Sequence, residues 1–482
     1  MPLILPGNVG SATAATGYDV ANSLRFNDGS SDALIRTLAD PGGAGNRNKW
    51  TFSTWLKRTA LGANQWIFGS YQNSSYSTAL LFKSDDTLQF FDYYNGSFNG
   101  QRRTNRVFRD TSAWYHIVAI WDKDNSTTSE KMRIYVNGTE ETSFSASSAP
   151  SNATTLNADG QDISIGQKEG VGDYFDGYMC ETVFNDGQAY TADNYGEFDS
   201  DSPNIWKPKD VSDLTFGTTG FHLDYEDSSA LGNDVSGNNN DFTVNNLTSV
   251  DQTTDTCTNN FAIINVNDNY WAGATIEEGA TKVTTGSSNE AMNTSTFAMT
   301  KGKWYMEADF ISGAGARMCG ITPTVSFQTS SHGKAGDVTP HTVTYIGGGA
   351  VQEGNGSGGQ TQLASYDSYS TGDIIGIYMD LDNMKAYFSK NGALQSSTGI
   401  DLDSLATVDA AYGTGHYMFF VGDNNSGSLV CEANFGNGFQ SLSSAVADDN
   451  GFGAFEYSPN ITGDGSAKSF YSCCTKNIAE FG

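Results

Sequence analysis

From Ser23 onward, apolar and polar side chains alternate in short runs separated by Gly, Asn, Asp and Ser, the two-residue period of strands rather than the longer period of helices. The run Lys49-Trp50-Thr51-Phe52-Ser53-Thr54-Trp55-Leu56 sets Trp50, Phe52, Thr54 and Leu56 on one face and Thr51, Ser53 and Trp55 on the other. Bulk on both faces predicts a central strand of stacked sheets. Further strands are predicted at 65–69 (Q-W-I-F-G), 79–82 (A-L-L-F), 87–91 (T-L-Q-F-F), 114–121 (W-Y-H-I-V-A-I-W), 132–136 (M-R-I-Y-V), 162–166 and 175–184. Asn137-Gly138 closes one of them with a dipeptide that tolerates positive φ in a tight hairpin.

Many short strands with polar turns predict an all-β chain, two antiparallel jelly-roll-like β-sandwich domains joined by a structured connector. The first sandwich is placed at 23–200, after an arm at 1–22 whose Leu3, Ile4 and Leu5 stand between prolines and suit docking on a partner. Residues 201–260, with Pro203, Trp206, Pro208 and Phe221 to Tyr225, are aromatic enough to be read as a connector packed on the sandwiches. The second sandwich is placed at 261–445, its clearest strands at 303–310, 316–321, 373–380, 385–389 and 416–421, and 446–482 is read as a C-terminal packing segment. M-R-I-Y-V-N-G at 132–138 and M-K-A-Y-F-S-K-N-G at 384–392 echo one another, as similar hairpins do.

Charge narrows the partners. The 482 residues include 26 Lys or Arg against 55 Asp or Glu, a formal net charge of −29. A nucleic-acid surface needs clustered cations, and none stands between Asp210 and Thr281 or between Asn391 and Ala467, so no nucleic-acid partner is expected. The one basic cluster, Arg102, Arg103, Arg106 and Arg109, pairs with acidic groups on a neighbouring chain, binds an anion, or lays its stems along a solvated strand. No apolar run reaches the roughly 18 residues of a membrane span, so no membrane insertion is expected. Met1 to Gly7 lacks the basic start and apolar length of a secretory signal. The aromatic share of 12% argues for folded cores rather than an acidic disordered chain. Six cysteines are too sparse for a disulfide scaffold and lack C-x-x-C zinc spacing; Cys180, Cys319 and Cys431, among apolar strand residues, read as buried thiols.

W-Y-H-I-V-A-I-W at 114–121, M-R-I-Y-V-N-G at 132–138 and D-G-Y-M-C-E-T-V-F at 176–184 make residues 23–200 resemble the concanavalin-A-like lectin and laminin-G superfamily. Residues 261–445 look like a SPRY domain, through G-K-W-Y-M-E at 302–307, G-D-I-I-G-I-Y-M-D at 372–380, M-K-A-Y-F-S-K-N-G and F-F-V-G-D at 419–423. The combination, with its L-I-L-P-G start, resembles virion structural proteins of marine tailed phages. That resemblance implies a non-enzymatic virion protein assembled in the host cytoplasm, a capsid decoration or a tail-fibre or appendage component. It would form a homo-oligomer, a trimer in a fibre, contact other virion proteins, and display its lectin-like domains to a protein or host-surface glycan. The alternative is a carbohydrate-active enzyme of the lectin-like glucanase group.

The residues themselves supply little for catalysis. The glucanase signature E-x-D-x-x-E is absent; Glu307-Ala308-Asp309 supplies two carboxylates, but Ser312 holds the third position. The histidines His116, His222, His332, His341 and His416 are dispersed and no G-x-S-x-G elbow occurs, so no catalytic residue is expected. No cofactor is firmly indicated. Oxygen-rich loops suit calcium best among metals, and the laminin-G resemblance, with its rim-loop calcium, points to Asp173 and Asp176. Sugar recognition needs aromatic platforms beside amide and carboxylate groups. D-Y-Y-N-G-S-F-N-G at 92–100 has that chemistry and precedes the arginines, making Tyr93, Tyr94, Asn95, Asn99, Arg102 and Arg103 the ligand-binding candidates, with packing, turn formation or subunit contact as the other readings.

Overall fold

The computed structural model describes residues 17–38, 45–269, 274–286, 291–313, 317–323, 341–354, 360–405, 416–423, 428–439, 442–462 and 467–482. Leu3, Ile4 and Leu5 of the expected docking arm, and His332, lie outside them. The chain divides into two compact units, one being Ala15–Thr258 and the other holding Asn259–Gly482. It is almost wholly β: among the described residues a single short α-helix, Thr475–Phe481, stands beside the strands.

In the Ala15–Thr258 unit the strands are β1 (Ser23–Phe26), β2 (Ala33–Thr37), β3 (Lys49–Arg58), β4 (Gln65–Asn73), β5 (Tyr76–Phe82), β6 (Thr87–Tyr94), β7 (Ser97–Val107), β8 (Tyr115–Asp122) and β9 (Met132–Val136). There follow β10 (Thr139–Glu140), β11 (Phe144–Ser148), β12 (Asp162–Ile165), β13 (Gly177–Asp186), β14 (Gly196–Phe198), β15 (Trp206–Pro208), β16 (Phe221–Leu223), β17 (Thr243–Asn245) and β18 (Gln252–Thr253). One sheet runs β10-β9-β8-β3-β13-β1-β18 and the other β11-β7-β6-β5-β4-β12-β2-β17. The core between them is built by period two. Trp50, Phe52 and Leu56 of β3 face inward, with Trp121 stacked 6.3 Å from Trp50 and Phe68 of the opposite sheet 4.1 Å from Phe52. Burying each such side chain contributes about 1.5–3 kcal/mol. Asn137 and Gly138 adopt φ of 48° and 76°, as the hairpin between β9 and β10 requires. The stretch read as a connector is strand-bearing: β16 pairs with β13, β17 with β2 and β18 with β1, all within this unit.

The opposite face of β3 is also enclosed. Trp55 stacks 4.6 Å from His116, and Lys57 forms an ion pair with Asp255 at 2.9 Å, both side chains fully buried. The Trp114 indole N–H donates to the same carboxylate at 3.3 Å. Trp206 covers His116 and donates its indole N–H to Nδ1 at 3.0 Å.

In the Asn259–Gly482 unit, Lys303–Gly313 lies between Ile374–Asp380 and Leu429–Asn434 in one sheet, while Arg317–Thr322 pairs with Met418–Asp423 in the other. Trp304, Met306, Ala308 and Phe310 face the core with Ile321, Ile377, Phe388 and Val421. Tyr305 instead packs with Tyr378, Phe455 and Phe470 in a separate cluster. Beside it, Glu307 is buried and accepts from the backbone N–H of Glu456 and Tyr457 at 2.9 and 2.7 Å, the Tyr305 hydroxyl at 3.0 Å and Asn434 Nδ2 at 3.2 Å. This carboxyl therefore pins the C-terminal segment onto the sheet. Tyr471–Ser472 of the same segment pairs in parallel with Trp304 and Tyr305.

Candidate functional site

The outward face of β4 to β7 carries a groove of about 650 Å³. Its floor is three cross-strand rows fixed by register. Trp66, Leu81, Gln89 and Arg103 form one row, Gly69, Ala79, Phe91 and Gln101 the next, and Tyr71, Ser77, Tyr93 and Phe98 the third. Side chains directly opposite one another on a sheet face lie close enough to make a continuous wall. Trp66, Ala79, Leu81 and Phe91 are buried in one apolar cluster with Tyr71 and Tyr93 packed on it. Phe98, 43% exposed, stacks on Tyr93 with ring centroids 4.4 Å apart. The Trp66 ring lies against Gly69, where a Cβ would come within 2.6 Å of its Cζ2, so the bare backbone makes room for the indole. Trp66 is 1% exposed, and its indole N–H has no hydrogen-bond partner among the described residues. Burying an unpaired donor costs about 1–3 kcal/mol.

Polar groups ring this floor: Asn64, Lys83, Gln89, Gln101, Arg103, Lys168 and Asp173. Lys168 Nζ stands 4.5 Å from the Tyr71 ring centroid. Arg103 pairs with Asp85 and donates Nε to Thr87 Oγ1 at 3.1 Å; the Thr87 hydroxyl, with Arg103, holds Asp85 below the ordinary carboxylate range. Asp173 is the single carboxylate of the lining and takes φ of 53°, its carbonyl accepting from the backbone N–H of Trp66 at 2.7 Å.

Of the residues singled out by sequence, Tyr93, Arg103 and Asp173 line the groove. The others do not. Tyr94 is exposed and meets Tyr76 edge-on at 5.6 Å. Asn95, at φ of 52°, is the first centre of the hairpin turn joining β6 to β7. Asn99 is buried and braces the loop after β11, donating to Asp92 Oδ2 at 2.8 Å and accepting from the N–H of Ser151 and Asn152. Arg102 points away from the groove, donating to the Ser148 carbonyl at 2.8 Å above the Phe144 ring. Asp176 is enclosed with Asp28 and the Thr59 hydroxyl, and burial pushes its carboxyl up to about 8. Among the described residues no cluster of three or more His, Cys, Asp or Glu side chains is placed to hold a metal. The residues that sequence reasoning missed, Trp66, Tyr71, Lys83, Gln89, Phe91, Phe98 and Lys168, share a face only once the strands are paired.

A serine–histidine contact does exist, Ser53 Oγ to His116 Nε2 at 2.8 Å, and is arranged against nucleophilic use. Trp206 Nε1 can only donate, so Nδ1 accepts and the neutral ring presents Nε2–H to the serine, leaving no base on that side. Burial pushes this imidazole down to about 3.

Residues 28–193 match the laminin-G-type family described as the concanavalin A-like lectin/glucanases superfamily. This stretch is similar to concanavalin A-like, laminin-G-like domains. It contains every residue of the groove. Comparison with curated proteins gives no match. Among solved structures, the SPRY domain of human HERC1 is similar in part, with 15% identity over 35% of this chain and 96% of that one and a TM-score of 0.27. A carbohydrate-binding candidate from Bacteroides ovatus shows 19% identity, covering 47% of this chain and 59% of that one, at a TM-score of 0.35. Domains LG4-5 of the mouse laminin alpha1 chain show 12% identity over 87% of this chain and 90% of that one, at 0.29.

Proposed function

We propose that the concanavalin A-like domain binds carbohydrate without cleaving it, in the groove on β4 to β7, as the recognition module of a two-sandwich display protein of the jelly-roll kind. The observation that carries this reading is the buried, unpartnered Trp66 N–H beneath an aromatic wall of Tyr71, Phe91, Tyr93 and Phe98. Sugar rings present C–H faces to aromatic rings and hydroxyls to amides and indoles, and the groove supplies both. Hydrolysis by a pair of carboxylates needs two, and the lining offers only Asp173. The test is oligosaccharide binding by the full chain, measured calorimetrically. Trp66→Phe keeps a six-membered aromatic ring but loses the pyrrole ring with its donor, lowering affinity by about 1 kcal/mol, roughly fivefold, and Tyr93→Ala removes the stacking surface. Unchanged affinity in both variants would overturn the assignment of the site.

The setting proposed for this display is the surface of a phage particle, with the Asn259–Gly482 unit as a SPRY-like protein-contact module and the chain in several copies, so that weak glycan contacts sum by avidity. It is supported by the sequence resemblance alone. Immunogold location of the chain on purified particles tests it, and absence from every particle would sink it. Calcium belongs to the same reading, with Asp173 and Asp176 as the rim-loop carboxylates expected to hold it; calorimetric titration with calcium, with no heat above dilution, would remove it.

A further inference from the structure

The groove's charge runs against that of the chain. Over the whole sequence 55 acidic side chains outnumber 26 basic ones, yet the groove lining holds Lys83, Arg103 and Lys168 against Asp173 alone. Arg103 is already engaged by Asp85. Lys83 and Lys168 form no ion pair among the described residues, and Lys168 is steadied on the Tyr71 ring rather than by an acid. Two ammonium groups outside any ion pair, with Asp173 as the single carboxylate near them, therefore share the lining with an indole N–H that has no acceptor among the described residues. A neutral sugar would satisfy the indole and the aromatic wall but leave both ammonium groups facing it unmatched. An oxyanion satisfies them with charge-assisted hydrogen bonds, roughly twice as strong as neutral ones. The acidic remainder of the surface does not cancel this, because at physiological ionic strength charges beyond about 8 Å are largely screened while contacts inside the groove are not.

We infer that the groove selects anionic saccharides, bearing uronate carboxylates or sulfate esters, whose negative group is met by Lys83 and Lys168 while a ring lies on Tyr93 and an oxygen accepts from Trp66 Nε1. This inference rests on the carbohydrate-binding reading. It is tested on the full chain by calorimetry with three probes of matched length: an alginate oligosaccharide, a sulfated galactan oligosaccharide and a neutral laminarin oligosaccharide. At least one anionic probe binds tenfold or more tightly than the neutral one. The Lys83→Gln/Lys168→Gln pair weakens that anionic probe about tenfold, equivalent to about 1.4 kcal/mol, and leaves the neutral probe unchanged, with circular dichroism confirming the fold. Which anion binds distinguishes carboxylate from sulfate, and either supports the inference. If the neutral probe binds as tightly as both anionic ones, is insensitive to the lysine pair and weakens in Trp66→Phe, the anionic inference is overturned while carbohydrate binding stands. Binding of none of the three probes would overturn both.

Discussion

Lys57 and Asp255 offer the sharpest test of how the Ala15–Thr258 unit is held together, because both side chains are wholly buried and 2.9 Å apart. At an effective dielectric of about 20 their attraction is about 6 kcal/mol, set against a desolvation penalty of several kcal/mol for each ion. The pair as a whole is then close to neutral for stability, whereas either charge left alone is expensive. Burial draws the Lys57 ammonium below the ordinary lysine range while Asp255 opposes the shift. Lys57→Met leaves the buried Asp255 carboxylate without its ammonium partner and is expected to cost about 3–5 kcal/mol, lowering Tm by roughly 10 °C for a unit of this size. The double variant Lys57→Met/Asp255→Asn removes both charges and returns to within about 1–2 kcal/mol of the parent. Urea unfolding followed by tryptophan fluorescence reads mainly this unit, which holds Trp50, Trp55, Trp66, Trp114, Trp121 and Trp206, whereas Trp271 and Trp304 lie in the other. A Lys57→Met cost below about 1 kcal/mol, or single-variant costs that simply add in the double, would refute the reasoning.

Three further outcomes follow from other contacts. Burial raises the Glu307 carboxyl from 4.5 to about 7, so the stability it contributes is full below about pH 4.5 and is lost as pH rises through 7; the parent should lose about 3 kcal/mol relative to Glu307→Gln over that window, and parallel pH–stability curves would contradict this. Gly138→Ala would place a Cβ within 2.3 Å of Trp206 at φ of 76° and should cost several times the roughly 1 kcal/mol expected of Gly237→Ala, where φ is 87° but no atom lies within 4 Å; equal costs in denaturant unfolding would deny the close approach. Trp66→Phe removes an unpaired buried donor but leaves a gap where the larger indole was packed, effects of opposite sign of about 1–3 kcal/mol each, so Tm should stay within about 5 °C of the parent, and a larger drop would show a hidden partner.

The sandwich architecture was legible because its signals are local. Trp50, Phe52 and Leu56 announce a buried face by alternation alone, and the Asn-Gly pairs at 137–138 and 391–392 adopt positive φ as their hairpins demand. The region 201–258 was harder. Its strands are three residues or shorter, too brief to show a period, so its membership of the first unit depends on pairing with β1, β2 and β13, which no local pattern encodes.

The groove was half legible, and its two halves differ for a physical reason. Reading D-Y-Y-N-G-S-F-N-G and the arginines as one patch gathered Arg102 and Arg103 together, although adjacent residues of a strand point to opposite faces. Register settles which is which: Arg102 lies opposite Phe90, whose ring is in the core, and Arg103 opposite Gln89, which faces the groove. A better signal stood in the same strands. Trp66 next to Ile67, Leu80 next to Leu81 and Phe90 next to Phe91 put large apolar groups on both faces of three consecutive strands. In a two-layer sandwich only one face can meet the other sheet, so the second set, Trp66, Leu81 and Phe91, must be covered by chain or kept for a ligand. Among the described residues a groove lies over that second set, and the side chains lining it carry more basic than acidic groups in a chain where acidic ones are in excess.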